Sequence, residues 1–280
     1  MGKKNKVDTK EVGLDISIVF AKYLLNTEHL HYGYWTEDLE VNMYNIPAAQ
    51  VKYSEFMVSN IPENTKSILD VGCGAGKFAE KLIELGYNVD CVSPSKVLTG
   101  YARKLLEDKV EIFECKFEDV ITDKKYDLIL FSESFQYINI ESAFKNSIKL
   151  LNENGKILIC DFFKTAAKGR SPLSGGHKIG KFFETVDLLP VKLEKDIDLT
   201  KQTAPNIDLY NQFLMQAGLP IWNILDNLLE KKYRLIHKFL NWKYKKKIAK
   251  IHRKYFKGKR NAENFMKFKT YRLFIYGISK

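Results

Sequence analysis

The sequence predicts an α/β fold built on one mostly parallel sheet, and three observations carry that prediction. Ser67 to Val71 is a short apolar run that breaks into glycines and opens a helix near Lys77, the strand–turn–helix corner of open α/β sheets. Further strand-like runs at Tyr87–Val92, Val110–Glu114, Tyr126–Ile138 (a strand with its exit) and Lys156–Asp161 alternate with helical patterns. A length of 280 residues with 45% apolar side chains suits one large domain carrying an insertion.

The corner itself is the most informative stretch. Gly72, Gly74 and Gly76 let the chain turn tightly and bring backbone N–H groups close to a ligand with no Cβ in the way. Asp70 stands at the carboxyl end of the strand, where open α/β sheets place their ligands. A phosphate loop needs a hydroxyl after Gly-Lys, and Gly76-Lys77 is followed by Phe78. The dinucleotide fingerprint needs a third glycine at position 77, which is Lys77.

What remains, Asp70-Val-Gly-Cys-Gly-Ala-Gly76, closely resembles the first motif of the Rossmann-like (class I) S-adenosylmethionine-dependent methyltransferases. The resemblance implies a seven-stranded, mostly parallel sheet. It also implies S-adenosyl-L-methionine as cofactor, S-adenosyl-L-homocysteine as product, and Asp70, Gly72, Cys73, Gly74 and Gly76 as the cofactor floor.

Ahead of this core, apolar spacing predicts a helix from Val12 to Leu25 and another from Ile46 to Asn60, ended by Ile61-Pro62. Residues 1 to 10 read as a mobile polar tail. Between the helices lies Glu28-His-Leu-His-Tyr-Gly-Tyr-Trp35, an aromatic–histidine cluster costly to leave in water. It resembles the His-x-Gly-Tyr segment of tocopherol-type and glycine/sarcosine-type methyltransferases, which implies Tyr32, Tyr34 and Trp35 as pocket lining, with Tyr34 bordering the reaction gap. His31 has two readings, a general base near neutral pKa or a histidine that orients neighbouring backbone, and the second is preferred.

Beyond the corner, Phe78–Leu85 is the first crossover helix, closed by Gly86. The second strand ends at Asp90-Cys-Val-Ser-Pro-Ser95, so Ser93 stands where the family usually has an acidic ribose ligand. This resembles the cyclopropane-synthase and tocopherol-methyltransferase branch and implies Ser93, Pro94 and Ser95 beside the ribose, with Ser95 capping the next helix. Many relatives place Asp where Lys116 stands; Phe117 backbone and Glu118 are the alternatives near adenine. The fourth strand's exit, Ser132-Glu133-Ser134-Phe135-Gln136-Tyr137, implies Ser132 at the cofactor and Glu133 and Gln136 at the reaction gap. Gln136-Tyr137 replaces the Glu-His of cyclopropane synthases, which argues against cyclopropanation. Ala143–Leu151 reads as an amphipathic helix, and Asn154-Gly155 as the turn into the fifth strand.

Past Asp161 the resemblance thins. Phe162–His177 is too rich in turn residues for regular structure and is either an acceptor-positioning loop or plain surface. Leu188–Asp198 and Thr270–Lys280 read as a sixth and a terminal strand, and the resemblance implies that the two form an antiparallel hairpin. Between them, Leu225 to Tyr255 shows one continuous helical stripe of apolar residues.

Of the 45 lysines and arginines, fourteen fall within Lys231–Arg260, which holds no acidic residue. The other 250 residues carry 31 basic against 34 acidic side chains, so one segment makes the chain basic at net +11. Three readings are open: the stripe packs on the domain, which is preferred; it lies on an anionic membrane; or it docks an acidic carrier protein. Nucleic acid ranks below these, because the remaining surface is slightly acidic.

No signal-peptide apolar region follows the charged N-terminus, Lys6 breaks a myristoylation signal, and no apolar run is long enough to span a bilayer. Cys73, Cys91, Cys115 and Cys160 lack C-x-x-C spacing, so reduced thiols in a cytoplasmic enzyme are expected, peripheral to the membrane if the basic helix binds it, with no metal site. The expected organisation is tail and helical lid over 1–62, a cofactor-binding core over 63–161, an acceptor loop, sixth strand and basic helical cap over 162–267, and a closing strand over 268–280. The expected function is methyl transfer to a small-molecule or lipid-like acceptor. The alternatives are an RNA or protein methyltransferase, or a non-catalytic module that binds the cofactor.

Overall fold

The computed structural model describes residues 9–279, so positions 1–8 of the expected tail and Lys280 of the closing strand lie outside the described residues. Seven strands form one sheet: β1 (Ser67–Val71), β2 (Asn88–Val92), β3 (Ile112–Phe113), β4 (Tyr126–Ser132), β5 (Leu151–Lys164), β6 (Val191–Asp198) and β7 (Lys269–Ile278). Their order is β3-β2-β1-β4-β5-β7-β6, with β1 to β5 parallel and β7 antiparallel to both of its neighbours. Strand order reverses between β1 and β4, which opens a crevice at their carboxyl ends.

The central strands are apolar on both faces, as buried parallel strands must be. Ile68, Leu128, Leu130 and Leu158 face one core, under α2 (Ile46–Ser59), α3 (Lys77–Glu84) and α4 (Lys96–Leu106). Leu69, Ile129, Phe131 and Ile159 face the other, under α5 (Ile140–Leu150) and α6 (Ile179–Val186). α1 (Thr9–Leu24) packs outside α4, where Glu11 accepts hydrogen bonds from the Ser95 hydroxyl at 2.9 Å and the Val97 N–H at 3.1 Å. A carboxylate there satisfies donors at the helix start and favours its positive end.

Three expectations need correction. The third strand is shorter than Val110–Glu114, because the Glu111 N–H is taken by the Asp90 carboxylate instead of extending the ladder. Asn154-Gly155 lies within β5; Leu151 pairs with Tyr126 and Lys156 with Leu128, so the residues between them bulge out. The basic stripe is a hairpin of two helices, α9 (Leu219–Lys232) and α10 (Arg234–Tyr255), broken at Tyr233. Neither helix buries a residue, so the stripe does not pack on the domain. The hairpin follows α7 (Thr200–Thr203), α8 (Pro205–Phe213) and a wider π turn over Leu214–Gly218, and α11 (Ala262–Phe268) returns the chain to the core.

Among the described residues, no helix is long and apolar enough to cross a membrane, and no three His, Cys, Asp or Glu side chains cluster to hold a metal ion. All four cysteines are free thiols.

Candidate functional site

A cleft of about 570 Å³ opens at the switch point between β1 and β4. Its floor is the glycine corner. Gly72, Gly74 and Gly76 have φ of 85°, 58° and 90°, the left-handed region that side chains resist. At Gly72 a Cβ would stand 2.3 Å from Ser134 Cβ, whereas at Gly74 it would meet nothing within 4 Å. The corner therefore packs tightly beneath Gly72 and presents open backbone at Gly74.

Asp70 closes this end of the cleft. It is 2% exposed and accepts no hydrogen bond from the described side chains or turns. Burial raises its pKa to about 7. A buried carboxyl without a donor is an incomplete pair, and an ammonium group of a ligand would complete it.

Glu133 lines the cleft one residue past β4, with φ of 56°. Its Oε1 accepts from the Tyr32 N–H at 2.8 Å and the Tyr271 hydroxyl at 2.7 Å. Burial pushes its pKa up to about 7, and the two donors hold it below where burial alone would put it. The Tyr53 hydroxyl lies 3.0 Å from Tyr271 and 3.1 Å from Ser132 Oγ, so one polar chain runs from Ser132 to Glu133. Both hydrogen bonds fall on Oε1, which leaves Oε2 for whatever occupies the cleft. Beneath lies Asp161, raised to about 8 by burial, which accepts from the Gln136 backbone and side-chain amides and so fixes that residue at the rim.

The aromatic–histidine segment is clamped from two helices. Gln50 of α2 donates to the His29 and His31 carbonyls, and Asn206 of α8 bonds both the N–H and the carbonyl of Gly33. Tyr32 enters the cleft and stacks near Phe162, at 6.4 Å between centroids. Tyr34 instead stacks on Phe56, and Trp35 is buried with Ala49 and Leu209, so neither lines the cleft. His31 lines it, yet both ring nitrogens are engaged. Nδ1–H donates to the Tyr32 carbonyl at 2.8 Å, which leaves Nε2 as acceptor toward His29 at 3.1 Å and Ser54 at 3.3 Å. Burial, reinforced by His29, lowers its pKa to about 3, so it orients the segment and has no free basic nitrogen.

The remaining expected residues divide. Cys73, Ser132 and Gln136 line the cleft with Asp70, Gly72, Gly74, Tyr32 and Glu133. Gly76 serves as the left-handed N-cap of α3 and lies outside the lining. Ser93 accepts from the Ser95 N–H, and Ser95 caps Leu98 and donates to Glu11, so this corner is occupied by protein partners; Pro94 is exposed beside it. Phe117 is buried edge-on to Phe131, and Glu118 points to the surface, so neither reaches the lining.

Three site residues were not read from the sequence. Tyr271, on β7, reaches Glu133 because the register sets it opposite Phe162 on β5. Lys269, 1% exposed, donates to the Ser174 and Gly175 carbonyls, and burial lowers its pKa to about 8. It ties the expected acceptor loop to β7. Arg260 lines the cleft where the basic hairpin rejoins the core.

The family model described as "Methyltransferase domain" matches residues 69–159, which span the corner, Glu133 and most of β5. Among curated proteins, the chain is 27% identical over 158 residues to a ubiquinone biosynthesis O-methyltransferase of Rickettsia typhi, covering 54% of this chain and 64% of that one. It is 28% identical over 177 residues to the protein of the same name from Pelagibacter ubique, covering 57% and 72%. The chain thus spans less than two thirds of the length of the Rickettsia relative. Among solved structures, geranyl diphosphate C-methyltransferase from Streptomyces coelicolor A3(2), in complex with S-adenosyl-L-homocysteine, superposes with a TM-score of 0.67 at 14% identity, covering 97% of this chain and 98% of that one. The [4+2]-cyclase SpnF superposes at 0.65 and 13% identity, covering 98% and 97%. At these identities the structural likeness carries the fold alone.

Proposed function

We propose that this chain is a class I S-adenosylmethionine-dependent methyltransferase and that it transfers the methyl group of S-adenosyl-L-methionine to a small-molecule or lipid-like acceptor. One observation carries the reading: two buried carboxyls line the switch-point cleft, Asp70 with no protein donor and Glu133 with one oxygen held and the other free. Asp70 would take the ammonium of the cofactor's amino-acid part, and the open backbone at Gly74 would admit its body.

The cofactor supplies a methyl group on a positively charged sulfur with a neutral leaving group, so the protein's task is alignment and exclusion of water. Tyr32, Gln136 and Phe162 wall the acceptor side. Glu133 Oε2 accepts the proton that a hydroxyl, amine or acidic carbon acceptor must lose, and a pKa near 7 suits that task at neutral pH. Tyr271 and the Tyr32 N–H hold the carboxylate in place. The test is incubation with methyl-labelled cofactor and a host cell extract. Label in small organic or polar molecules supports the reading; label on RNA or protein moves it to those acceptors. No label, with bound S-adenosylhomocysteine, makes the chain a binding module.

We further propose that the hairpin of α9 and α10 seats the enzyme peripherally on an anionic membrane. Leu235 is 83% exposed, Trp242 77% and Ile224 66%, and the same hairpin carries Lys231, Lys232, Arg234, Lys238 and Lys243. With no acidic residue from Lys231 to Arg260, the surface is complementary to acidic headgroups, and its apolar side chains to the acyl boundary.

A further inference from the structure

Resting on the methyl-transfer reading, we infer that the acceptor carries an anionic group, a carboxylate or a phosphate, and that Arg260 is the residue that binds it. Arg260 lines the same cleft as Tyr32, Glu133, Gln136 and Phe162. Among the described residues, no carboxylate lies within 4.0 Å of its guanidinium. Its Nε is buried without a hydrogen-bond acceptor.

The other fixed charges of the lining are already answered. Lys77 pairs with Glu80 at 2.5 Å, and Glu28 pairs with Lys22 at 2.7 Å. Asp70 and Glu133, whose pKa values burial raises to about 7, carry only part of a charge at neutral pH. Arg260 is left as the one lining group that is always charged and has no counter-ion. A buried donor without an acceptor and a cation without a partner both cost free energy, and one oxyanion of the acceptor would satisfy both.

The guanidinium is also held ready. It stands over the Tyr210 ring at 5.4 Å and the Tyr255 ring at 5.2 Å, from α8 and α10. The next residue, Asn261, caps α11, and the Ala262 N–H donates to Asp208 of α8. Stacking between two rings restricts a long side chain before any ligand arrives, so little order is lost on binding. This gives the inserted hairpin a second consequence: it delivers an arginine to the cleft.

The experiment uses the full chain saturated with S-adenosylhomocysteine and three probes of one shape: benzoate, phenyl phosphate and the neutral benzamide. Calorimetric titration is expected to show binding of benzoate or phenyl phosphate, and whichever binds identifies carboxylate or phosphate as the source of the charge. Benzamide is expected not to bind. R260A and the uncharged but polar R260Q are expected to weaken the anionic probe by about tenfold or more, the loss of a charge-assisted contact. Both are expected to leave S-adenosylhomocysteine affinity unchanged, and R253A, on the exposed hairpin, is expected to change neither. Binding of neither anion to the wild type, equal binding of benzamide, or anion binding unchanged in R260Q overturns the inference. Failure of the methyl-transfer reading looks different: S-adenosylhomocysteine itself does not bind, while the anion titration of the bare protein still reports on Arg260.

Discussion

The Tyr271 hydroxyl donates to Glu133 Oε1 over 2.7 Å, joining the last strand of the chain to the exit of β4. One buried phenol thereby aims the free oxygen of the carboxylate into the cleft and stabilises its ionised form. Y271F removes that donor and leaves the Tyr32 N–H as the remaining one. The label-transfer rate is expected to fall about tenfold with S-adenosylhomocysteine affinity intact. The rising limb of the pH–rate profile is expected to move to higher pH, because a carboxylate with one donor fewer is harder to ionise.

Glu133 itself is expected to act as a base only when ionised. With its pKa at about 7, label transfer from the wild type to a protonated acceptor is expected to rise as pH passes through neutrality. E133Q keeps the shape and cannot accept a proton, so the rate is expected to drop by about 100-fold or more across the whole range. An undiminished rate in E133Q, measured in the same extract assay, assigns the proton elsewhere.

Asp70 links cofactor binding to stability. Its folded pKa, about 7, lies above the value near 4 of an unfolded chain. Between these values the native state keeps a proton that the unfolded state has lost, so stability falls as pH rises, by about 1.4 kcal/mol per pH unit for one such group. D70N cannot ionise. Its melting temperature is expected to match the wild type near pH 4 and to exceed it increasingly toward pH 8, while its affinity for S-adenosylhomocysteine is reduced. Thermal melts across this range check the sign.

The glycine corner separates folding from binding. G72A forces a Cβ into Ser134 in a left-handed backbone and is expected to destabilise by about 3 kcal/mol or more. G74A carries only the backbone cost, about 1 kcal/mol, because nothing stands within 4 Å of the new methyl group. It is expected to fold, yet to lose cofactor affinity by projecting into the space a ligand would fill. Denaturant melts and S-adenosylhomocysteine titration, run on both variants, distinguish the two effects.

For the hairpin, sedimentation with anionic liposomes at low salt is expected to pull down the wild type, and neutral liposomes are not. L235E or W242E, both at exposed positions, is expected to abolish the effect, and high salt to weaken it. Equal sedimentation of these variants removes the apolar contribution and leaves attraction by charge alone, whereas no sedimentation of the wild type at low salt contradicts membrane docking.

The glycine corner was legible in the sequence because left-handed backbone and close approach both dictate the residue type, and only glycine meets them at Gly72. Strands β1, β2 and β4 were legible for a similar reason, as runs buried on both faces. The aromatic segment was legible only as a cluster. An aromatic ring satisfies a core and a cavity wall equally, and only the clamps from Gln50 and Asn206 decide that Tyr32 enters the cleft while Trp35 sits among Ala49 and Leu209. The break at Tyr233 was hidden because the apolar spacing continues in phase across it. Arg260 was one of fourteen similar cations, and no local pattern marks the one that turns inward. Tyr271 depended on strand register, which pairing between distant segments sets.

Calorimetric titration of the wild-type protein with S-adenosylhomocysteine, repeated on G74A, asks whether the glycine corner holds the cofactor. The wild type is expected to bind saturably, one to one, and G74A to lose that binding while remaining folded. No heat of binding to the wild type up to millimolar ligand would contradict cofactor binding there.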